Sequence, residues 1–298
     1  MAGLEARSGQ ETNAGPLARV PSGILVLSGI ASVQFGSAVA THLFATVGPS
    51  GAVLLRLVTA SVVLVAVARP RLRGHSRGNL ILVAVFGIAL AGMNLSFYTA
   101  LHRIPLGIAV SLEFVGPLSV AVAGSHRRID VLWVLLALAG IVALTHGGTG
   151  HLSGVGVFFA LLAGAFWGAY ILITARVGQS FARGTGLALA MCFASVVALP
   201  FGIAAGGTHL LSLRSLAIGG AVGMLSSAIP YSFELEALRR IAAHVFGVLM
   251  SIEPAMAALA GLIVLGQGLS VRTILGMALV VAASIGASWH ARAAAVAV

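Results

Sequence analysis

Two short stretches of the sequence repeat each other and decide the fold: residues 111–117 read SLEFVGP, and residues 251–254 read SIEP. Each stretch lies in the middle of a long apolar run and places a glutamate, Glu113 or Glu253, close to a proline. An ionisable residue in the middle of a membrane helix is costly, so such residues mark substrate or ion pathways. Helices that Gly or Pro interrupts at matching places in two halves of a chain point to a transporter's binding site.

The composition excludes a water-soluble globular protein. Of the 298 residues, 59% are hydrophobic and 8% are charged, whereas soluble domains have about 45–50% apolar and about 25% charged residues. The net charge of +10 comes from 17 arginines and no lysine. These arginines lie in short segments between apolar runs, a placement that orients a membrane protein, so we expect no nucleic-acid partner. A lone cysteine, Cys192, excludes an intrachain disulfide.

The apolar runs predict ten membrane-spanning helices, because a helix needs about 20 apolar residues to cross the hydrocarbon core. The predicted spans are residues 23–44, 51–68, 79–101, 105–124, 131–145, 154–175, 185–205, 215–236, 242–265 and 271–290. Residues 1–21 carry charges and lack an apolar core, which indicates a disordered cytoplasmic tail and not a cleaved signal peptide. Residues 291–298 are expected to form a second cytoplasmic tail.

The distribution of arginine favours this number of spans. With both termini in the cytoplasm, 13 of the 17 arginines fall on the cytoplasmic side, three fall outside, and Arg56 lies within a span. Adding or removing one span would place arginine clusters on alternating sides. The positive-inside rule therefore supports ten spans with cytoplasmic termini, in the inner (plasma) membrane.

The two halves of the chain are copies of one unit. The two glutamate stretches lie 140 residues apart, and Gly107 and Gly247 keep the same offset. We interpret residues 22–145 and 154–290 as two five-helix repeats. Because five is odd, the second repeat enters the membrane with the opposite orientation, as in many secondary transporters, with the site at the repeat interface. The predicted fold class is an all-α polytopic membrane protein of two inverted five-helix repeats.

Several longer stretches are similar to a known family. They are Leu55-Arg56-Leu57 and residues 93–98, 105–110, 112–118, 229–234 and 250–255. With the layout of two times five helices, they resemble the EamA type of the drug/metabolite transporter superfamily, and closer still its bacterial threonine/homoserine exporter branch, over residues 22–290. The resemblance implies export of small amino acids or related metabolites across the bacterial inner membrane. Gly266-Gln267 departs from the usual glycine–glutamate pair, which puts a role for an acid in this loop in doubt.

Glu113 and Glu253 are the main candidates for binding substrate or protons. A carboxyl group in a poorly solvated place suits the task of holding either a proton or an amine. Pro117 has no N–H, so it leaves the Glu113 carbonyl without its helical donor, and Pro254 does the same to the carbonyl of Met250. The alternative is a glutamate that neighbouring hydroxyls satisfy within the packed protein.

Arg56 is a candidate for receiving a substrate carboxylate. Its planar guanidinium group matches a carboxylate through two parallel hydrogen bonds. Its long side chain is equally suited to reaching the membrane surface or to pairing with an acid.

Glu234 follows a third helix break, at Pro230, and is a further candidate for the cavity. Its alternative is an ion pair with Arg239 or Arg240. Glu236 lies on a different helical face and forms an i, i+4 pair with Arg240, which we expect to be structural.

Other polar residues in the spans fit the cavity, although each of them is also suited to a hydrogen bond between helices. They are Gln34, Asn94, Tyr98, Ser111, Tyr170, Tyr231 and Ser251, with Trp167 as a weaker candidate.

These patterns favour a carrier that works by alternating access and is either coupled to protons or driven electrochemically. Transport of drugs or other metabolites in either direction is an alternative, and so is a passive channel or facilitator. An enzyme is disfavoured, because the HExxH, GxSxG and phosphate-loop patterns are absent. The nine histidines lack ligand spacing, so we expect no metal and no cofactor. The expected partners are a small-molecule substrate, protons and the lipid bilayer, and the oligomeric state is open.

Overall fold

The computed structural model describes residues 20–70, 75–123, 129–145, 152–181, 184–238, 240–241 and 243–295, and all regular secondary structure in these ranges is helical. The α-helices are α1 Ser22–Ala40, α2 Phe44–Ala68, α3 Arg77–Leu101, α4 Leu106–Glu113, α5 Val115–Ala123, α6 Ile129–Thr145, α7 Gly154–Ser180, α8 Thr185–Gly206, α9 Leu213–Gly223, α10 Ile229–Leu238, α11 Ala243–Met250, α12 Glu253–Leu265 and α13 Val271–Ala295. A π-helical segment, Met224–Ala228, joins α9 to α10.

Most of these helices suit a membrane by length and composition. In the described part of the chain, six helical runs are long and apolar enough to cross one: Ser22–Ala68, Arg77–Leu101, Gly154–Ser180, Thr185–Leu211, Leu213–Glu234 and Val248–Leu265. Shorter apolar helices cover Leu106–Val120, Val131–Leu144 and Val271–Gly286. A helix satisfies its own backbone polar groups, as lipid requires. The protein is therefore an all-α, multi-pass membrane protein.

The helix bounds differ from the predicted spans at particular places. The first two predicted spans form one helical run, which bends at Gly48 (φ 69°, ψ 168°) just before Pro49. Glycine adopts such a positive φ without steric cost. At the other end of the chain, α13 continues to Ala295 and so includes part of the predicted tail 291–298. Residues 1–19 of the other predicted tail lie outside the described residues.

Apolar side chains lie on the outside of the bundle and polar side chains lie inside it, as expected for a protein in lipid. Large apolar side chains such as Ile24, Val62 and Ile81 are exposed on the outside of the bundle. Polar side chains such as Gln34 and Asn94 are buried inside it. Lipid and the packed protein interior are both apolar, so a polar side chain is costly in either of them. The buried polar groups therefore indicate where the helices enclose a space that apolar packing does not fill.

Both glutamate stretches lie at helix breaks, but on opposite sides of them. Glu113 is the last residue of α4, and α5 starts at Val115. Glu253 is the first residue of α12, after a two-residue turn that follows α11. A carboxylate at the start of a helix faces the positive end of the helix dipole, whereas one at the end of a helix does not.

The break between α4 and α5 packs tightly against α7 through glycines. A β-carbon on Gly164 of α7 would lie 2.5 Å from the carbonyl oxygen of Glu113, the carbonyl that Pro117 leaves without a helical donor. A β-carbon on Gly116 would overlap the carbonyl of Gly164. Small residues allow such close approach of two backbones in a membrane. These glycines therefore fix Glu113 against α7.

Helices of the N-terminal half pack against helices of the C-terminal half. Among the closest packings are α2 with α8, α6 with α13, and α4 with α12. In addition, α3 packs against α7, and α1 packs against α10. Each of these pairs joins one helix of the N-terminal half to one helix of the C-terminal half, so the interior lies between the two halves.

Gln267 has a structural partner. Its Oε1 accepts a hydrogen bond from the N–H of Leu106 at 3.0 Å, at the start of α4. The first N–H groups of a helix have no partner within the helix. An amide oxygen meets this need, so this contact does not require the acid that is usual at this position.

We predict that Gly116→Ala destabilises the protein by about 1–3 kcal/mol, because the added methyl group is forced into the Gly164 backbone. Thermal unfolding of the purified protein in detergent measures the change. The matched control is Gly220→Ala, since nothing lies within 4 Å of a β-carbon built there. The control is expected to stay within about 1 kcal/mol of the wild type. Equal melting temperatures for the two variants would show that α5 does not pack against α7 in this way.

Candidate functional site

A cavity of about 510 Å³ lies in the middle of the bundle, between the two halves. Its wall combines aromatic and apolar side chains with polar ones. The polar and ionisable residues that line it are Gln34, Ser37, Arg56, Asn94, Glu113, Tyr170, Thr174, Ser226, Tyr231, Glu234, Glu253 and Ser284. A volume of this size, with a few converging polar groups, is typical of a small-molecule site.

The structure brings most of the predicted site residues to this cavity. The predicted residues that line it are Gln34, Arg56, Asn94, Glu113, Pro117, Trp167, Tyr170, Tyr231, Glu234 and Glu253. The predicted residues that are not part of its lining are Tyr98, Ser111, Ser251, Pro230 and Pro254.

Three carboxyl groups face the same cavity. Glu113 and Glu253 are 8% and 6% exposed and come from opposite halves of the chain. Glu234 of α10 is partly buried and lines the cavity as well. Their like charges repel one another where little water screens them.

Arg56 provides the positive charge of the cavity. Its side chain is 6% exposed. Nε donates to Ser227 Oγ at 3.1 Å, Nη2 donates to the Ser226 carbonyl at 2.7 Å, and Nη1 donates to the Tyr98 hydroxyl at 3.2 Å. The guanidinium carbon also lies 5.5 Å from the centre of the Tyr98 ring, within cation–π range. Among the described residues no carboxylate lies within ion-pair distance of Arg56.

The contacts of Arg56 leave part of its hydrogen-bonding capacity for another group. A guanidinium carries five N–H donors, and the three contacts above take one donor on each nitrogen. One N–H on Nη1 and one on Nη2 remain. Two donors on the paired terminal nitrogens match the two oxygens of a carboxylate.

Pro230 explains why Arg56 is held in this place. In an α-helix the N–H of residue 230 would bond the carbonyl of Ser226, and in a π-helix that of Leu225, but proline has no N–H. One of these two carbonyls therefore loses its helical donor, and each of them accepts a bond from a side chain. Arg56 Nη2 bonds the first, and the hydroxyl of Ser32 on α1 bonds the second at 2.6 Å. The π-helical segment thus joins α1 and α2 through polar contacts.

The predicted residues away from the cavity wall have clear structural contacts. Tyr98 is fully buried and accepts the bond from Arg56, so it positions the guanidinium. The hydroxyl of Ser111 donates to the Gly107 carbonyl of its own helix at 2.7 Å. Ser251 bonds the hydroxyl of Ser284, at 2.9 Å, and Ser284 lines the cavity.

Aromatic rings form one wall of the cavity. Trp167 packs edge-on against Phe114, with ring centroids 5.3 Å apart, just after Glu113. Tyr170 stacks on Phe86 at 5.2 Å. Each of the cavity-lining rings thus packs against a second ring, which stabilises its position in the wall.

The predicted pair between Glu236 and Arg240 is confirmed, since the two side chains form an ion pair. Glu236 does not line the cavity, whereas Glu234 does. Of the two predicted alternative partners of Glu234, Arg239 lies outside the described residues, and Arg240 pairs with Glu236.

Sequence reasoning missed two serines that bond Arg56 and a third serine, Ser37, in the cavity wall. Ser226 and Ser227 lie in the π-helical segment, and Ser37 lies on α1 next to Gly36. The signal was present, because Pro230 frees a carbonyl four residues earlier by the same rule that applies to Pro117 and Pro254. π-Helical segments occur frequently at functional sites.

Comparison with known proteins identifies the relatives of this chain. The EamA-like transporter family matches residues 154–289. The chain is 40% identical to the threonine/homoserine exporter RhtA of Salmonella typhimurium over 268 residues, which cover 89% of this chain and 90% of that protein. It is 39% identical to the threonine/homoserine exporter RhtA of Escherichia coli K12 over 272 residues, which cover 90% and 92% of the two chains. The predicted resemblance is confirmed.

A solved crystal structure has the same fold. Its TM-score against this chain is 0.61, with 18% sequence identity, and the superposition covers 90% of this chain and 98% of the other. At this identity the likeness shows the fold alone.

We predict that water-soluble reagents reach the cavity wall. In a Cys192→Ala background, Ser284→Cys should react with a small hydrophilic methanethiosulfonate, because Ser284 lines the cavity. Ser61→Cys should stay unreactive, since Ser61 does not line the cavity. The two serines are 5% and 8% exposed, so surface exposure by itself would favour the opposite order. Equal labelling, or faster labelling at position 61, would contradict a water-filled cavity.

Proposed function

Because this chain belongs to the EamA-like transporter family, we propose that it is an inner-membrane carrier that exports small amino acids, similar to threonine or homoserine, or related metabolites. The share of each chain that the alignments cover supports this, since the two exporters named above match this chain over about nine-tenths of its length.

One observation carries the proposal: the cavity offers complementary charges for a zwitterion. Arg56 has two donors that suit a carboxylate, while Glu113, Glu234 and Glu253 suit an ammonium group. A zwitterion needs both charges compensated once it leaves water. A solute with only one charge would leave the other side of the cavity without a counter-charge.

The proposed architecture is ten transmembrane helices in two inverted five-helix repeats, residues 22–145 and 154–290. The six long runs, of which Ser22–Ala68 contains two predicted spans, and the three shorter apolar helices account for ten. The family match, residues 154–289, coincides with the second repeat. The reciprocal packing of helices supports a twofold relation, since the second helix of each half packs against the other, as do the fourth and the fifth helices.

The orientation that we propose has both termini in the cytoplasm. It rests on the arginines, 13 of which then lie on the cytoplasmic side against three outside. Transport would occur by alternating access, in which the two halves move against each other around a fixed central site.

We propose that Glu113 and Glu253 couple export to protons. Each carboxyl group holds either a proton or the substrate's ammonium, and exchange of the two links outward movement of substrate to inward movement of protons. Because both acids face the same cavity, their titrations are coupled and one proton is shared between them in part of the cycle.

The proposed function predicts saturable exchange of small amino acids in liposomes that contain the purified protein. Labelled threonine added outside should accumulate inside liposomes that are preloaded with unlabelled threonine. This happens because the carrier moves unlabelled threonine out and then brings labelled threonine in. A passive channel shows no such counterflow. Resistance of cells that overproduce the protein to toxic amino acids or their analogues identifies the range of substrates. Absence of exchange for all small amino acids would overturn the proposal.

Glu113→Gln should abolish the acceleration of export by an inward proton gradient, because an amide cannot take up the proton. The rate of threonine export from liposomes with and without an imposed pH gradient measures this effect. Glu236→Gln makes the same chemical change outside the cavity and should keep the response of the wild type. Coupling through Glu113 is wrong if the amide variant still responds to the gradient.

A further inference from the structure

Three buried oxygen atoms at one side of the cavity have no hydrogen-bond partner among the described residues. They are Gln34 Oε1, Ser37 Oγ and Ser226 Oγ. The three residues are 3%, 0% and 1% exposed, and all of them line the cavity. A buried polar group without a partner costs about 1–3 kcal/mol. Three such groups in one place indicate that a ligand satisfies them.

These three residues, which we call the cluster, line the same cavity from α1 and from the π-helical segment. Gln34 and Ser37 are three residues apart on α1 and lie on the same helical face. Gly36 lies between them, and a β-carbon there would overlap the Ser226 hydroxyl. Glycine at position 36 therefore lets the π-helical segment, which carries Ser226, pack closely against α1.

The cluster is adjacent to Arg56. The carbonyl of Ser226 accepts a bond from Arg56 Nη2 at 2.7 Å, while the hydroxyl of the same residue faces α1. A ligand whose carboxylate binds Arg56 would therefore lie close to Ser226. The carboxyl groups that suit an ammonium belong to α4, α10 and α12, on other helices that line the cavity.

The chemistry of the cluster selects a neutral group that both donates and accepts. Gln34 Oε1 accepts only, whereas each serine hydroxyl donates one bond and accepts others. A carboxylate does not suit such a set, because it only accepts. An ammonium could donate to all three oxygens, but Arg56, which bonds the Ser226 carbonyl, repels a second positive charge. A hydroxyl group satisfies it. The serine oxygens turn toward such a group by rotation about one side-chain torsion.

We propose that Gln34, Ser37 and Ser226 form a subsite for the side-chain hydroxyl of a hydroxylated amino acid. The proposal rests on the proposed function, since it assumes that an amino acid occupies the cavity with its carboxylate on Arg56. It adds the residues that distinguish a hydroxylated substrate from an aliphatic one. A site that is built to bond a hydroxyl rejects the analogue without one, because its own polar groups are then left unpaired.

Two pairs of amino acids of equal shape test the subsite. Threonine and valine differ by a hydroxyl in place of a methyl group, and homoserine and norvaline differ in the same way. Competition by each compound against counterflow of labelled threonine gives its apparent affinity. For the wild-type protein we expect the hydroxylated member of each pair to bind about tenfold to a hundredfold more tightly.

Variants of the cluster should lose this preference for the hydroxylated member of each pair. Three variants test the cluster: Ser226→Ala, Ser37→Ala and Gln34→Leu. In each, we expect a lower apparent affinity for threonine and homoserine. The apparent affinity for valine and norvaline should stay unchanged or increase. Ser61→Ala is the control, because Ser61 is buried, bonds the Val58 carbonyl of its own helix and does not line the cavity. It should keep the full preference. Elution of each variant as the wild type on size exclusion shows that it is folded.

The outcomes separate the subsite from the proposed function. If no small amino acid competes with the wild type, the proposed function itself fails. If threonine and valine compete equally, the cavity takes amino acids but the hydroxyl subsite is wrong. The subsite is also wrong if the cluster variants lower the apparent affinity for both members of each pair alike. In that case the cluster contributes to the shape of the cavity and does not bind the hydroxyl group.

Discussion

The position of one guanidinium group inside the membrane depends on one missing N–H. Pro230 has no N–H, so a carbonyl of the preceding turn lacks its helical donor, and Arg56 bonds the carbonyl of Ser226. Tyr98 and Ser227 bind the rest of the guanidinium. A hydrogen bond to a charged group contributes about 1.5–3 kcal/mol, so these three contacts offset a substantial part of the cost of burying the charge. The cation thereby stays in the interior, where it faces the acids of the other helices.

The acids reach the same cavity because the two halves of the chain break their helices at matching places. Glu113 ends α4 and Glu253 begins α12, and the glycines of α7 hold the first break close to the C-terminal half. Lipid supplies no hydrophobic force between helices, so close backbone packing and polar contacts carry the association. The same contacts that fold the bundle therefore also define its central cavity. A change in the packing of one half would move its glutamate relative to the other half.

Sequence reasoning identified the class of fold and the acids, but not the support of the site. The apolar runs and the repeated glutamate stretches are local patterns, and they led to the helices and to Glu113 and Glu253 with errors of a few residues at the ends. The partners of Arg56 depend on the contact between α2 and a segment about 170 residues away, which no local pattern contains. For that reason the sequence left Arg56 open between a carboxylate, the surface and an acid. The rule for proline applied to Pro230 would have identified Ser226, whereas the place of Gln267 at the start of α4 required the tertiary structure.

The central claim is that one cavity between the halves binds the substrate through Arg56 at its carboxylate and through Glu113 and Glu253 at its amine. An experimental structure of the protein in lipid nanodiscs with bound homoserine, at a resolution that shows side chains, tests this claim most directly. We predict density for the amino acid in the cavity, with its carboxylate within hydrogen-bond distance of Arg56 and its nitrogen toward the two glutamates. Bound amino acid at another place, or in the opposite orientation with its nitrogen at Arg56, would contradict the claim.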